Sequence, residues 1–500
     1  MMTKKKIILI LVSLLLLGGV IAGVMWISGF EVLPDEEIPD SHITIDYQRE
    51  TLQIYTCSLD NVDYISVSNK TGEYKVSRNE EGTVYFHGHA EVPLLPYSSA
   101  GLFESVANIR CEALIETDCT ELYKYGLEEP SVVITVKMKD GKENVFHLGD
   151  AAPQGGGYYF RDTTNNDVYL SGTYFSERFV KNHTQYYQTT ISKEFEYTGF
   201  QTLSIQPHEG EEIYVRTTTG DEATDIRFMG GTIVEKPFFS AGDSTPVQGI
   251  IEVLAQLKAE YVETDVLSAE NLTKYGFDTP TTVTITALVD TSSILSNITG
   301  LENPYYDPNG NGEQKLITIK YVIGGTVDNI TYVMFDDQSV IYAVNKANFE
   351  WVVNNTVDIY CQRMIYIKYL KELKNVIVEV DGERHHFAIT DPEAGDDMEV
   401  MYNTYTKVDQ AQFRNFYTSI IGVTHDGLGY EPEEGSEPYL KITYIPIEGE
   451  NIILEFYQIE PRKYVLKVDG EGRFFAYSSK IDKIVKDMHK LIMLSQIDSL

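Results

Sequence analysis

The stretch Leu122-Tyr123-Lys124-Tyr125-Gly126-Leu127-Glu128-Glu129-Pro130 returns later in the chain as Leu272-Thr273-Lys274-Tyr275-Gly276-Phe277-Asp278-Thr279-Pro280. A second shared block precedes each copy, Ile115-Glu116-Thr117-Asp118 in the first and Val262-Glu263-Thr264-Asp265 in the second. The copies are 147 positions apart in the earlier block and 150 in the later one, which indicates a three-residue insertion. An internal repeat of this kind predicts a chain built from similar supersecondary units.

Each copy has the pattern of a short helix followed by a strand. Gly126 and Gly276 predict the helix ends, because glycine accepts the left-handed conformation just past a helix, and the prolines that follow prevent more helix. We predict Asp118 as the helix N-cap in the first copy and Ser268 in the second. β-Branched segments follow and predict strands: Val132–Val136 in the first copy and Val283–Thr286 in the second.

The surrounding sequence completes a unit of opening hairpin, amphipathic helix, β-meander and closing helix. The predicted opening hairpins pair Val62–Ser68 with Glu73–Arg78, Leu203–Ile205 with Ile213–Arg216, and Val376–Val380 with Arg384–Ile389. The predicted long helices are Leu102–Ile109 in the first unit and, in the second, a helix that a Thr245-Pro246 cap begins and that runs through Leu257. The predicted closing helices are Phe175–Val180, Phe349–Val353 and Ile481–Leu491. In the third copy the segment Gly429–Glu433 takes the place of the helix-end signal.

These elements predict an α+β fold, with an N-terminal transmembrane helix followed by repeated units of mainly antiparallel sheet with packed helices. The predicted organisation is a cytoplasmic tip and transmembrane anchor (1–30), an acidic stalk (31–42), a first α+β unit (43–196), a second unit (197–372) and a third, degenerate unit (373–500). The second unit carries an insertion at 290–313 in place of a tight hairpin. Long insertions are places where function is often found.

The first 30 residues predict a membrane anchor. Lys4, Lys5 and Lys6 precede an uncharged run from Ile7 to Ile27, whose 21 residues would span roughly 31 Å as a helix, enough to cross a bilayer core. The positive-inside rule places the lysines in the cytoplasm and the bulk of the chain outside, in a single-pass topology. A cleaved signal peptide is the alternative, although the run is long for one and Ala22-Gly23-Val24 is a poor cleavage site.

Charge and cysteine usage exclude several classes of protein. The net charge is −35, and without the three anchor lysines it is −38 on residues 31–500, so nucleic acid is excluded as a partner. Solubility at a crowded surface explains this charge most simply, and binding of cations or cationic partners is the functional alternative. The four cysteines, Cys57, Cys111, Cys119 and Cys361, contain no Cys-x-x-Cys pair. Cys111 and Cys119 could pair in an oxidising compartment, with isolated buried thiols as the alternative.

The histidines and the glycine-rich run do not define a site. The run Gly149–Gly157 lacks the Gly-Lys-Ser/Thr of a phosphate loop and leads into a strand. His87 and His89 stand two positions apart, hence on one face of a strand, but no third metal ligand can be named beside them. No third metal ligand can be named beside the adjacent pair His385-His386 either.

Two acidic segments carry oxygen ligands of the kind that calcium prefers. The first groups Asp391, Glu393, Asp396 and Asp397 around Gly395, without EF-hand spacing. The second is the Asp307-Asn309-Asn311 series in the insertion, which lacks the glutamate expected at position 12 of such a loop. Solvated loops are the simpler interpretation of both. Since serine-hydrolase and zinc-protease motifs are also missing, no catalytic, cofactor-binding or metal-binding residue is assigned, and neither an enzyme nor a cofactor is predicted.

Five segments of the first unit together resemble the DUF4340 family, a domain of unknown function in bacterial envelope proteins. They are Lys124–Pro130, Asp140-Gly141-Lys142, Leu148-Gly149-Asp150, Gly157-Tyr158-Tyr159 and Val168-Tyr169. The second unit keeps the Tyr-Gly-x-x-x-Pro core but loses the Leu-Gly-Asp, and the third matches in outline. The resemblance implies a single-pass or lipid-anchored extracytoplasmic protein that accompanies ABC-type export or gliding-motility-like transporter components. It carries over no catalytic residue.

We therefore expect a membrane-anchored extracytoplasmic binding or scaffold protein. The more specific expectation is an accessory component of an ABC-type transport system. The expected partners are the membrane, through the N-terminal helix, and transporter subunits or other envelope proteins. One alternative is a cell-surface adhesion or wall-interaction protein whose tyrosine-rich strands stack on sugars. The other is an envelope enzyme, which would need a deep pocket that gathers polar residues from several units.

Overall fold

Three nine-stranded antiparallel sheets follow one another along the chain. The structure is a computed structural model that describes residues 51–153, 156–296, 302–310, 312–353, 355–390 and 398–497. The predicted anchor and stalk lie outside the described residues. Within the part that is described, no helix has both the length and the apolar composition needed to cross a bilayer.

Each sheet takes all its strands from one of the three predicted units. The first contains β1 (Leu52–Thr56), β2 (Val62–Asn69), β3 (Gly72–Arg78), β4 (Val84–Phe86), β5 (Asn108–Glu116), β6 (Val132–Met138), β7 (Glu143–Ala151), β8 (Tyr158–Asp162) and β9 (Val168–Ser171). The second contains β10 (Phe200–Gln206), β11 (Ile213–Thr217), β12 (Gly231–Lys236), β13 (Ser240–Asp243), β14 (Tyr261–Thr264), β15 (Thr281–Asp290), β16 (Gln314–Val327), β17 (Ile330–Phe335) and β18 (Ile341–Asn345). The third contains β19 (Leu373–Val380), β20 (Glu383–Thr390), β21 (Glu399–Tyr402), β22 (Thr406–Val408), β23 (Gly427–Leu428), β24 (Leu440–Pro446), β25 (Ile452–Glu460), β26 (Lys463–Val468) and β27 (Glu471–Tyr477). The unit boundaries themselves stay a prediction.

Helices connect and cover these strands. The α-helices are α1 (Pro96–Ala107), α2 (Thr173–Val180), α3 (Ser244–Ala255), α4 (Ala269–Lys274), α5 (Glu350–Val353), α6 (Gln410–Ile421) and α7 (Ser478–Ile497). Short 3-10 helices are Leu59–Asn61, Leu122–Tyr125, His183–Tyr186, Tyr197–Gly199, Gly220–Thr224, Ile226–Phe228, Lys346–Phe349, Val357–Tyr360 and Leu370–Glu372. The predicted closing helices are confirmed as α2, the Lys346–Val353 helical segment and α7.

The strand order repeats from sheet to sheet. It is β13-β12-β11-β10-β15-β16-β17-β18-β14 in the second sheet and β22-β21-β20-β19-β24-β25-β26-β27-β23 in the third. Read in the opposite direction, the first sheet, β1-β5-β9-β8-β7-β6-β2-β3-β4, has the same order from β5 to β4. It has β1 as an extra strand beside β5 and no counterpart of β13 and β22 beside β4. Helices α1, α3 and α6 precede the equivalent strands β5, β14 and β23. The prediction of an α+β fold of mainly antiparallel sheet is confirmed.

Alternation along the strands places one face of each sheet in the core. In β6, Val132, Ile134 and Val136 are buried, while the intervening side chains are half-buried. The central strands β15 and β24 alternate in the same way. Helices cover the buried face, where the Tyr321 hydroxyl of β16 donates a hydrogen bond to the Leu254 carbonyl of α3 at 3.0 Å. One hydrophobic core extends through all three sheets, from Val62 to Leu491.

The repeated Tyr-Gly segments end their helices as predicted, but one predicted cap is wrong. Gly126 and Gly276 both adopt positive φ, at 65° and 77°. Ser268 caps α4 by accepting a hydrogen bond from the backbone N–H of Asn271. Asp118 caps nothing: it has φ 48°, and the first-copy helix is a single 3-10 turn that starts only at Leu122. Asp118 therefore lies too early in the chain to reach the free N–H groups of that turn.

Two other helix boundaries differ from the predictions. Helix α3 begins at Ser244, and Asp243 is its N-cap because its carboxylate accepts from the Thr245 N–H at 2.9 Å. Pro246 thus lies within the first turn, where its missing N–H costs no hydrogen bond. In the third unit the residues from Gly429 to Glu433 end no helix. They follow the two-residue strand β23, and the Gly429 N–H donates to the Arg473 carbonyl at the sheet edge.

The four cysteines are free thiols. Cys111 and Cys119, for which the sequence allows either a disulfide or isolated thiols, are each buried and form no disulfide. Burial raises the pKa of the Cys111 thiol to about 12, so it stays protonated and acts as a small apolar side chain.

Replacing Gly126 by alanine tests the packing of the repeated segment. A Cβ there would lie 2.8 Å from the backbone nitrogen of Asp150, and φ is in the left-handed region. We expect Gly126→Ala to lower the free energy of unfolding by about 2–5 kcal/mol, from left-handed strain plus overpacking. Gly141 at a hairpin tip also has positive φ, but a Cβ there would contact nothing within 4 Å. Gly141→Ala should therefore cost only about 1–2 kcal/mol. Urea unfolding of both variants measures the difference, and equal losses would contradict the packing argument.

Candidate functional site

Two histidines and one aspartate from distant parts of the chain meet between the edge strands of the first two sheets. His89 follows β4, the outermost strand of the first sheet. His183 opens the 3-10 helix that follows α2. Asp265 directly follows β14, the outermost strand of the second sheet. We call these three residues the junction cluster.

Backbone hydrogen bonds between the two units hold the cluster in place. Ile191 donates its N–H to the Leu257 carbonyl at 3.1 Å, and Ala259 donates to the Thr189 carbonyl at 2.7 Å. The segment after His183 is thus fixed beside the chain that enters β14. The Gln188 N–H also donates to the Pro93 carbonyl at 2.8 Å, which fixes the segment after His89 to the same strip.

The carboxylate of Asp265 is the centre of the cluster. Its Oδ2 lies 2.9 Å from His89 Nδ1 and its Oδ1 lies 3.0 Å from His183 Nε2. The Tyr187 hydroxyl donates to Oδ2 at 2.8 Å, and the Ala90 N–H approaches the same oxygen at 3.4 Å. The two imidazole rings lie face to face, with centroids 3.8 Å apart and planes 38° from parallel.

The cluster is largely removed from water. The Asp265 side chain is 2% exposed, against 19% for His89 and 13% for His183. Phe86 packs on the imidazoles, its ring centroid 6.4 Å from that of His89 and 5.9 Å from that of His183. Both imidazoles are thus more exposed than the carboxylate between them.

Hydrogen bonding outweighs burial in setting the charge of the carboxylate. Burial raises the pKa of Asp265, but hydrogen bonds from His183 and Tyr187 and the nearby imidazoles lower it further, so the pKa lies well below its ordinary value. Burial, and then the bond to Asp265, raise the pKa of Tyr187. At neutral pH the cluster thus contains an ionised carboxylate and a protonated phenol.

The arrangement has donor atoms suited to a cation. One nitrogen from each histidine and one carboxylate oxygen lie within 4.8 Å of one another, and no other such group of three occurs among the described residues. Of the described side chains that hydrogen-bond to these three, only Tyr187 carries a hydroxyl, and its raised pKa keeps it protonated.

The structure separates the histidines that the sequence paired. His89 belongs to the junction cluster, whereas His87 Nε2 lies 2.8 Å from Ser77 Oγ of β3. His385 and His386 contact different strands: His385 Nδ1 lies 3.0 Å from the Tyr402 hydroxyl, and His386 Nε2 lies 2.8 Å from Asn375 Oδ1. Alternation along β20 sends the two rings to opposite faces of the sheet.

The predicted loops give no further site within the described residues. Asp391 to Asp397 lie outside them, as do Asn311 and part of the glycine-rich run. Asp307 Oδ1 accepts a hydrogen bond from the Asn309 N–H at 2.8 Å, the pattern of a local turn. Gly149, at the start of the glycine-rich run, lies within β7.

The described part of the insertion borders a small polar pocket. The pocket has a volume of about 210 Å³, and its wall includes Glu194, Asn303 and Tyr305. Glu194 Oε2 is buried without a hydrogen-bond partner, whereas Asn303 donates to the carbonyls of Asp290 and Ser293. The hypothesis that the insertion carries function stays a prediction.

Sequence reasoning missed two members of the cluster, His183 and Asp265. Asp265 occupies the same repeat position as Asp118, so the repeat does not distinguish Asp265 as a functional residue. His183 stands alone in its segment. The available signal was that three residues with metal-ligand chemistry lie near predicted elements of the first two units, and only the pairing of these units brings them together.

Fold and site define a protein of three topologically equivalent antiparallel units, with one polar cluster joining the first unit to the second. The chain belongs to the family described as a domain of unknown function (DUF4340), which matches residues 85–260 and 234–420. Each match starts in the outer strands of one unit and ends at the long helix of the next, so each spans a junction. No match was found among curated proteins or among solved structures.

Replacing Asp265 by asparagine tests the central role of its carboxylate. The amide would place an NH2 group against donors that now bond to a buried carboxylate. We expect Asp265→Asn to lower the free energy of unfolding by about 3 kcal/mol. Asp118→Asn is the matched control, since Asp118 is exposed at the equivalent repeat position and asparagine tolerates its positive φ. The control should change stability by less than about 0.5 kcal/mol in urea unfolding, and equal losses would contradict the assignment.

The lowered pKa of Asp265 also predicts a pH dependence. A carboxylate with a lowered pKa in the folded state stabilises the protein fully above its unfolded value of about 3.9, and this contribution is lost as pH falls toward the folded value. The stability difference between the unmodified chain and Asp265→Asn should therefore be smaller at pH 3 than at pH 5. Urea unfolding at both values measures it, and a difference that grows on acidification would contradict the charge assignment.

Proposed function

We propose that this chain is a single-pass membrane protein that holds a binding or scaffold surface outside the cytoplasm, as an accessory component of an ABC-type transport system. The predicted N-terminal transmembrane helix and the cytoplasmic position of its lysines are part of this proposal. The repeated units would then form the extracytoplasmic body.

The observation that carries the proposal is the uncovered face of each sheet. Along β6, β15 and β24, the residues that alternate with the core are half-buried, so helices cover one face only. The second face of the central strands is rich in threonine and lysine, as at Thr135, Thr284 and Lys441. Broad, partly exposed sheet faces of this kind are suited to contacts with another protein.

The strong negative charge supports an extracytoplasmic body that stays apart from anionic headgroups. With −38 on residues 31–500, the units would be repelled by an acidic lipid surface while the anchor holds them to it. A partner that binds the sheet faces would have to be neutral or basic at its contact surface.

The adhesion alternative receives less support. It relied on tyrosines displayed on strand faces, where they could stack on sugars. The most exposed tyrosines lie elsewhere: Tyr97 in the first turn of α1, Tyr174 in α2 and Tyr405 in the turn between β21 and β22. On the described strands the exposed tyrosines are Tyr85, Tyr261 and Tyr477, each less than half exposed and each on a different strand.

Cysteine labelling in intact cells tests the topology. In a Cys57→Ser background, Lys142→Cys places a thiol at the exposed β6–β7 turn, and Lys5→Cys places one before the apolar run. We expect a membrane-impermeant maleimide to label Lys142→Cys in intact cells and Lys5→Cys only after lysis. Labelling of Lys5→Cys alone in intact cells would reverse the topology.

Purification from mild detergent tests the scaffold role. We expect the full chain to be recovered with transporter subunits, in amounts that remain after washing in moderate salt. A mock purification from cells without the chain is the control. Recovery of the chain alone, at a detergent concentration that preserves known transporter complexes, would overturn the transport-accessory proposal.

A further inference from the structure

The junction cluster has the donor set of a transition-metal site. Two imidazole nitrogens and one carboxylate oxygen come from three separate chain segments, and they converge within 4.8 Å. This combination suits zinc and other first-row divalent ions better than magnesium or calcium, which prefer oxygen ligands throughout. We propose that His89, His183 and Asp265 bind one first-row divalent transition-metal ion, zinc being the best fit.

The donor atoms already lie close together. Donors at about 2.0–2.1 Å from a tetrahedral zinc ion lie about 3.4 Å from each other. His89 Nδ1 lies 2.9 Å from Asp265 Oδ2 and His183 Nε2 lies 3.0 Å from Oδ1, and one donor atom from each residue lies within 4.8 Å of the other two. Rotation of the partly exposed imidazole rings would bring these atoms to the spacing that zinc needs.

The protons of the two imidazole rings can be placed both in the ion-free cluster and in the metal-bound cluster. In the ion-free cluster each imidazole donates an N–H from the nitrogen that faces Asp265. On metal binding that nitrogen supplies its lone pair, and the proton of the neutral ring lies on the other ring nitrogen. No bond other than coordination forms, and no electron transfer is involved.

The surroundings of the carboxylate support ligation. Tyr187 and the Ala90 N–H both contact Oδ2, which leaves Oδ1 as the oxygen with fewer competing donors. A carboxylate that is oriented by hydrogen bonds from outside the metal site is the usual arrangement for a metal ligand. The partial exposure of both histidines leaves room for water to complete the coordination.

The repeat shows that this site is built only once among the described junctions. The 3-10 helix His183–Tyr186 corresponds to Val357–Tyr360 at the next junction, and Cys361 stands where Tyr187 stands in the first. Backbone pairing between the units is retained at that junction: the Ile365 N–H donates to the Val423 carbonyl at 3.2 Å, and the His425 N–H donates to the Arg363 carbonyl at 2.9 Å. The shared backbone therefore does not require the polar side chains of the first junction.

An ion at this position would link the first sheet to the second. Two of its ligands come from the first unit and one from the second, so binding stabilises the folded pair relative to the separated or unfolded chain. We expect the metal to have a structural role, because it would make the junction between the first two units more rigid.

Zinc titration of the full chain tests the proposal. The protein is purified in detergent without a histidine tag, stripped with a chelator, and titrated with Zn²⁺ by calorimetry. We expect one site per chain in the unmodified protein and affinity weakened by on the order of 100-fold or more in His183→Ala and in His89→Ala. His87→Ala is the matched control, because His87 lies two residues from His89 and outside the cluster. Its affinity for Zn²⁺ should be unchanged.

Thermal unfolding gives a second readout on the same samples. Zn²⁺ should raise the unfolding temperature of the unmodified chain and of His87→Ala, and leave that of His183→Ala unchanged, while Mg²⁺ raises none of them. Absence of a zinc site in the unmodified chain, or equal zinc affinity in the His89→Ala/His183→Ala double variant, would overturn the proposal.

A spectroscopic measurement covers the case in which the histidine variants do not fold. The unmodified chain is loaded with one equivalent of Cu²⁺, and pulsed electron paramagnetic resonance is recorded. Two coordinated imidazoles should give the modulation of two remote ring nitrogens. A spectrum without imidazole nitrogen would exclude the junction cluster as the site.

Discussion

The structure depends on one long-range pairing in each unit, between the first strand of the opening hairpin and the first strand of the meander. Val67 pairs with Ile134 in the first sheet, Leu203 with Ile285 in the second and Val378 with Ile442 in the third. Because the long helix lies between the paired strands in sequence, this pairing brings it onto one face of the sheet. A shift of one residue would turn every buried side chain of the central strand toward solvent.

Local features of the sequence were predictable, whereas features that depend on neighbouring units were not. The glycines at 126 and 276 predict a left-handed conformation because few other residues accept it. The hydroxyl of Ser268 caps the helix that begins directly beside it. Asp118 has the right chemistry for a cap and the wrong distance from its turn, since two copies of a repeat need not keep the same helix length. His183 and Asp265 stand 82 positions apart, and no local pattern encodes their contact.

The backbone junction between units is repeated along the chain, whereas the junction cluster is not. Equivalent backbone bonds join the first sheet to the second and the second to the third, so the junction is a reusable element of the fold. The polar cluster occupies only the first of these two junctions in the described chain. A family match that spans each junction fits this view, since the matched segments run from one unit into the next.

The core that runs without interruption through all three sheets has a consequence for biosynthesis. A ribosome releases the chain from the N-terminus, so the first sheet emerges while its edge at β4 still lacks the segment around Asp265. More than 80 further residues must be synthesised after His183 before the Asp265 carboxylate can bond to His89 and His183. The first unit consequently leaves the ribosome with an uncompleted sheet edge at β4, and this edge is open to association with other strands until the second unit has been synthesised.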